Sequence, residues 1–226
     1  MNLFELQQPA LAVAGSDDRF PVRRVYCVGR NYRAHVREMG HDPDREPPFY
    51  FMKPASAVVQ SPATVHYPPR TSDFHHEIEL VAAIGKSGAN IPVSHALDHV
   101  FGYAVGIDFT RRDLQKEAKK LGRPWDTGKG FDESAPVSPV HPAADIGHPE
   151  AGRIWLAVND EIRQQGDLNE LIWDVSESVA ELSTFFRLEP GDLVFTGTPA
   201  GVGPVDVGDR LTGGIEGIDE IAITVR

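Results

Sequence analysis

Two glutamates, Glu77 and Glu79, sit inside the run His75-His76-Glu77-Ile78-Glu79-Leu80-Val81-Ala82-Ala83-Ile84. A near-continuous apolar run of this length reads as a strand covered on both faces. Side chains at i and i+2 of a strand point to one face, so the two carboxylates project together from a buried element. Burying like charges side by side is costly unless something cationic compensates. Asp108, about thirty residues on, ends a second apolar run, Phe101–Ile107. Three converging carboxylates with no Cys and no obvious His partner form an all-oxygen set. Such a set favours a hard divalent cation, Mg²⁺ or Mn²⁺ before Zn²⁺. A lone Glu-x-Glu pair is more often the wet face of an antiparallel strand; here Ile78 and Leu80 to Ile84 leave little room for a solvated face.

At 226 residues the chain can build one sizeable core. Its 22 basic and 33 acidic residues give a net charge of −11, with no Lys/Arg-rich run. Nucleic acid and anionic membranes are therefore poor candidate partners. Cys27 is the only cysteine, which excludes an intrachain disulfide and suits a reducing compartment. Its neighbours Val25, Tyr26 and Val28 mark it as a core thiol. The N-terminus lacks a basic segment followed by a long apolar one, and no stretch approaches the roughly 18 apolar residues of a membrane helix. The expected setting is cytoplasmic.

Short β-rich runs dominate, broken by Gly and Pro, and predict strands at Arg24–Gly29, Phe49–Lys53, His76–Ile84, Phe101–Asp108, Ile154–Val158, Leu193–Thr196 and Ile221–Val225. Asn159-Asp160 reads as a tight hairpin turn. Three helices are expected. The first covers Tyr32–Met39 and stops at Gly40. The second covers Arg111–Leu121, with Thr110 as cap, Asp113 three residues on and Gly122 at its end. The third covers Val175–Arg187, with Asp174 and Glu177 as a capping pair. The polar, Pro-rich segment Gly40–Pro48 reads as a mobile loop. No strong domain boundary is visible.

Three further features carry chemical potential. His35 and Glu38 share a helix face; a His held by a carboxylate is oriented to abstract a proton from water, although the same spacing also describes a surface ion pair. Lys129 lies between Gly128 and Gly130, where it could stabilise a developing oxyanion or simply be a solvent-exposed loop lysine. The turn Gly197-Thr198-Pro199-Ala200-Gly201-Val202-Gly203-Pro204 offers backbone N–H groups and the Thr198 hydroxyl to a carboxylate, or is a structural turn. It lacks the Gly-Lys-Ser/Thr ending of a phosphate-binding loop.

The order of these signals is more specific than any one of them. Val28-Gly29-Arg30-Asn31-Tyr32 with His35 and Glu38, Phe51-Met52-Lys53-Pro54, His75-His76-Glu77-Ile78-Glu79-Leu80, Asp108 to Gln115, Pro124-Trp125 with Lys129, and Thr196-Gly197-Thr198-Pro199 with Gly201 to Pro204 together resemble the fumarylacetoacetate hydrolase family, most of all its short acylpyruvate hydrolase branch. The likeness runs from about Val25 to the C-terminus. It implies a β-rich α+β chain folded as a mixed β-roll with a few short helices, and a homodimer. The division it implies is an N-terminal extension at residues 1–20 and a single catalytic domain at residues 21–226. It also implies one Mg²⁺ or Mn²⁺ held by Glu77, Glu79 and Asp108, an acid/base pair of His35 and Glu38, and a catalytic Lys129. Arg30, Lys53, Arg112, Gln115 and Thr198 are the implied substrate contacts. The implied activity is hydrolysis of the C–C bond of a 2,4-diketo acid to pyruvate and a carboxylic acid. Met39–Pro48 is similar to the lid of bacterial fumarylpyruvate hydrolases, which points to fumarylpyruvate, with His41, Arg45 or Arg30 meeting its distal carboxylate, and to aromatic compound degradation. An oxaloacetate decarboxylase or a keto-acid tautomerase of the same family is the alternative. Gly128 stands where many relatives have alanine, which implies a looser lysine loop. The N-terminal residues are too few for the separate small domain of longer relatives.

Overall fold

The central strand, Ile78–Ile84, is buried at every residue, and its alternation organises the molecule. Ile78, Leu80, Ala82 and Ile84 face one apolar cluster with Ile154, Leu156, Leu211, Ile221 and Ile223. Val81 and Ala83 face a second with Cys27, Ala104, Leu193 and Phe195. Glu77 and Glu79 continue the second series, as a period of two requires. The structure, a computed structural model, describes residues 3–38 and 47–226; the expected loop Gly40–Pro48, apart from its two final prolines, lies outside the described residues.

The main sheet is eight-stranded and mixed. Its spatial order is Phe49–Lys53, Arg24–Gly29, Asp192–Phe195, Ile78–Ile84, Val100–Ile107, Ala135–Val137 and Val58–Gln60, with His141–Pro142 paired beside Val100–Ile107. Asp192–Phe195 runs parallel to Arg24–Gly29 and antiparallel to Ile78–Ile84. A five-stranded sheet, Glu161–Asp167, Arg153–Val158, Arg210–Ile215, Asp219–Val225 and Ala63–Val65, covers one face. The architecture is thus β-rich α+β with a few short helices. Near the N-terminus, Ala10–Ala12 pairs with Arg19–Pro21 and buries Leu11 and Phe20 in the second cluster. No helix among the described residues is long and apolar enough to cross a membrane.

The expected strand His76–Ile84 is divided. Phe74–His76 belongs to a separate three-stranded sheet with Thr110–Arg111 and Gly203–Pro204, and Glu77 stands at the junction. There its carbonyl accepts from Asp108 N at 2.8 Å. The turn at Asn159 and Asp160 has φ of 51° and 66°, the left-handed pair of a two-residue hairpin. The helix Val175–Phe185 carries a reciprocal capping box between Asp174 and Glu177. It stops two residues short of expectation because Phe186 is extended. The helix Arg112–Leu121 starts without the expected cap: Thr110 is a strand residue whose hydroxyl donates to the Asp108 carbonyl. Gly122 does end it, at φ 63°. The first helix spans Arg33–Glu38.

One glycine lets the two sheets meet at the acidic strand. A Cβ on Gly213 would lie 2.5 Å from Ile78 Cδ1 and 2.8 Å from the Trp155 carbonyl oxygen. Ile78 stands between Glu77 and Glu79, so overpacking here disturbs both. Gly213→Ala is expected to lower stability by about 1–3 kcal/mol, read from the urea unfolding midpoint; an unchanged midpoint would show that this contact does not set the sheet spacing.

Candidate active site

Glu77, at the sheet junction, Glu79, on the central strand, and Asp108, just past the end of Val100–Ile107, converge because Ile78 pairs with Ile107 and Glu79 with Gly106. One carboxylate oxygen from each lies within 4.8 Å of the others, and all three residues are buried. Cations meet two of them. Arg112 Nη2 bonds Glu77 Oε1. Lys129 Nζ donates to Glu77 Oε2 at 2.7 Å and to Asp108 Oδ2 at 2.6 Å. Lys53 Nζ lies 2.8 Å from Asp108 Oδ1, an ion pair without hydrogen-bond alignment, so this buried oxygen has no hydrogen bond.

Glu79 differs. Its Oε2 accepts from Gly197 N at 2.7 Å and touches no cation among the described residues. Burial, then Asp108 and Glu77, push its carboxyl well above the ordinary range. Burial also opposes ionisation of Glu77, but Lys129 and Arg112 outweigh it and hold that carboxyl well below. Gly197 adopts φ 103°, and a Cβ there would lie 2.7 Å from Asn31 Cβ. Asn31 is itself clamped, donating to the Trp173 and Thr196 carbonyls and accepting from Trp173 N. An all-oxygen donor set and one buried carboxylate lacking a counter-ion together fit a hard divalent cation. These three residues would hold it.

His35 lines the same cavity, 7% exposed. Its Nδ1 lies 3.3 Å from Glu38 Oε2, and the Glu38 carboxylate accepts from Gly201 N, so the pair is anchored to the Thr198 turn. Burial dominates over Glu77 and Glu38 and lowers the His35 pKa, which keeps the imidazole neutral at pH 7. With Nδ1 donating to Glu38, the Nε2 lone pair is available to take a proton.

Arg30, Arg112, Gln115, Lys129, Gly197 and Thr198 also line the cavity. Lys53 does not. It is fully buried, bonded to the Phe109 and Lys129 carbonyls and paired with Asp108, a position suited to holding Asp108 and the lysine in place. Lys129 is not on a glycine-flanked loop: it ends a short helix, Asp126–Lys129, and is fully buried. A Cβ on Gly128 would sit 3.1 Å from Gln115 N, so glycine allows close packing on the neighbouring helix. His41 and Arg45 lie outside the described residues.

Sequence reasoning passed over Lys119. Its ammonium lies 4.9 Å over the Trp125 ring at the cavity wall, its pKa lowered to about 8 by burial and then by Arg112 and Arg30. The signal was available, since Arg112, Gln115 and Lys119 follow at i, i+3 and i+7 of one helix face. It passed over Gln164 too, a buried polar residue of the second sheet.

The family model described as fumarylacetoacetate (FAA) hydrolase C-terminal matches residues 24–226. A fumarylpyruvate hydrolase of Ralstonia sp is 49% identical over 189 residues, covering 83% of this chain and 98% of the relative. A mitochondrial oxaloacetate tautomerase of Arabidopsis thaliana is 40% identical over 203 residues, 90% of this chain and 91% of the relative. The crystal structure of a fumarylpyruvate hydrolase from Pseudomonas aeruginosa in complex with Mn²⁺ and pyruvate superposes with a TM-score of 0.97 at 55% identity, covering 100% of this chain and 99% of that one.

Asp108→Asn is expected to weaken Mn²⁺ binding, measured by calorimetry, by at least about tenfold, the loss that even outer-shell changes cause. Wild-type affinity in this variant would place the cation elsewhere.

Proposed function

The chain belongs to the fumarylacetoacetate hydrolase family, and from that premise we propose that it is a hydrolase of carbon–carbon bonds in ketonic substances, cleaving a 2,4-diketo acid with Mg²⁺ or Mn²⁺ held by Glu77, Glu79 and Asp108. The favoured substrate is fumarylpyruvate, giving fumarate and pyruvate, as an intermediate of aromatic compound degradation. The likeness to fumarylpyruvate hydrolases over nearly the whole chain supports this choice. The homodimer implied by the family resemblance, and the cytoplasmic setting suited to a lone buried cysteine, belong to the same proposal.

The observation that carries the reading is the buried His35, held by the solvent-exposed Glu38, beside the carboxylate triad. Bound there, a divalent cation supplies positive charge that polarises the 2-oxo acid. Arg112, Gln115 and the Thr198 turn orient the substrate. Glu38 holds the His35 ring so that Nε2 takes a proton from water as the oxygen attacks C4. Lys129 faces the developing oxyanion; burial opposes its charge, but Asp108 and Glu77 outweigh it and hold the ammonium above its ordinary pKa. The C3–C4 bond breaks, the acyl group leaves as the acid, and pyruvate departs as its enolate and is protonated at C3. Arg30 and Lys119, with no carboxylate partner among the described residues, supply charge for the distal carboxylate of a fumaryl group.

A second reading, decarboxylation or tautomerisation of oxaloacetate, is favoured by the 40% identity to the Arabidopsis tautomerase. Neither reaction needs an attacking water. Turnover of fumarylpyruvate, acetylpyruvate and oxaloacetate with Mn²⁺, and after chelation, separates the readings. Metal-dependent fumarate and pyruvate, with a preference for fumarylpyruvate over acetylpyruvate that Lys119→Met reduces, are expected. Reaction of oxaloacetate alone would make the second reading correct.

His35→Ala is expected to reduce hydrolytic kcat by about 100- to 10,000-fold; near-wild-type hydrolysis would remove His35 as the base. Because burial lowers the His35 pKa, the base is unprotonated through neutral pH. The acid limb of kcat/KM should therefore fall below the ordinary 6.5 of a histidine, and a limb above that value would contradict the assignment.

A further inference from the structure

Strand Glu161–Asp167 carries an inverted pattern: Ile162 is 45% exposed while Gln164 is fully buried. A register shift produces it. Leu156 pairs with Gln164 and Ala157 with Ile162, so Arg163 is the extra residue of a β-bulge. Bulges re-aim side chains next to functional sites, and local rules are most often broken where function demands it.

The Gln164 amide uses all four of its hydrogen-bonding positions. Oε1 accepts from Ile78 N at 3.1 Å and from His76 Nδ1 at 2.8 Å. Nε2 donates to the Pro199 carbonyl at 2.9 Å and to Thr198 Oγ1 at 2.7 Å. The orientation is not a choice between two flips. A backbone N–H can only donate and a carbonyl can only accept, so Ile78 and Pro199 assign the oxygen and the nitrogen. An amide N–H cannot accept, so the Thr198 oxygen must accept from Gln164. Its own proton then points elsewhere, and it has no protein acceptor among the described residues. Thr198 lines the cavity next to Gly197, whose N–H holds Glu79.

We infer that Gln164 is a positioning residue: from the second sheet it fixes the Thr198 hydroxyl as a hydrogen-bond donor into the cavity, where that donor takes the carboxylate of a 2-oxo acid. The inference rests on the proposed function and adds the element that sets the polarity of its carboxylate contact. Gln164→Glu keeps the volume and reverses the polarity. The new oxygen takes the Thr198 proton, which no longer reaches the substrate.

The test is a double-mutant cycle in Mn²⁺-loaded protein, with pyruvate as the probe. Binding is read by calorimetry and by inhibition of acylpyruvate hydrolysis, and melting temperature checks the fold. Gln164→Glu and Thr198→Val should each weaken pyruvate by roughly ten- to a hundredfold, the scale of one hydrogen bond to a charged group, and raise KM more than they lower kcat. The double variant should bind pyruvate no more weakly than Thr198→Val alone, because the two residues act as one. If Gln164→Glu does not fold, Gln164→Met, which removes the amide at similar volume, runs the same cycle with the same expectation. A Gln164 variant with wild-type affinity, or one whose effect persists in full on Thr198→Val, overturns the inference while leaving the proposed function intact. A wild-type protein that binds no pyruvate with Mn²⁺ present would overturn both.

Discussion

Three carboxylates buried within a β core form the constraint around which the molecule is arranged. Like charges at this separation repel strongly away from water. The structure answers with three cations from separate parts of the chain: Lys53 from one edge strand of the main sheet, Arg112 from the helix after Asp108, and Lys129 from the following short helix. Glu77 and Asp108 share those cations and Glu79 receives none. The imbalance marks the corner where positive charge is still wanted. In this sense the electrostatics of the empty-handed glutamate and the chemistry of the family point to one place.

The surroundings of the triad are held by backbone groups more than by side-chain pairs. Glu79 is held by Gly197 N, Glu38 by Gly201 N, and Gln164 by Ile78 N and the Pro199 carbonyl. One turn, Gly197 to Pro204, thus reaches a carboxylate of the triad, the partner of His35 and the amide from the second sheet. A single short segment couples the carboxylate triad, the His35–Glu38 pair and Gln164. Lys53, which the family likeness assigned to substrate, stands one layer back, where its charge and two carbonyl bonds hold Asp108 and Lys129.

Much of this was legible in the sequence wherever the signal was local. The Glu77–Glu79 pair followed from a period of two in an apolar run, the capping box from Asp174 and Glu177, and the hairpin from Asn159-Asp160. Where neighbours distant in sequence decided, local reasoning failed. Thr110 cannot cap the helix because it pairs with His75 in a strand. Lys129 ends a short helix and is buried between Glu77 and Asp108, both distant in sequence. Lys119 was hidden in an ordinary basic helix until Trp125 and Arg30 came beside it.

The sequence by itself determined that two carboxylates must share a buried face, that Asp108 ends a neighbouring apolar run, and that an oxygen-rich site, a paired histidine and a lysine occur in a specific order. These are properties of spacing, and spacing is written in the chain. Only the tertiary structure decided which cation meets which carboxylate, that Lys53 lies behind the site, and that Glu79 is left without a cation. Only it turned Gln164 inward through a bulge to control Thr198. Those outcomes depend on pairing register and on contacts between residues up to 118 positions apart, such as Gly197 with Glu79, and no local pattern encodes the partner of a buried polar group.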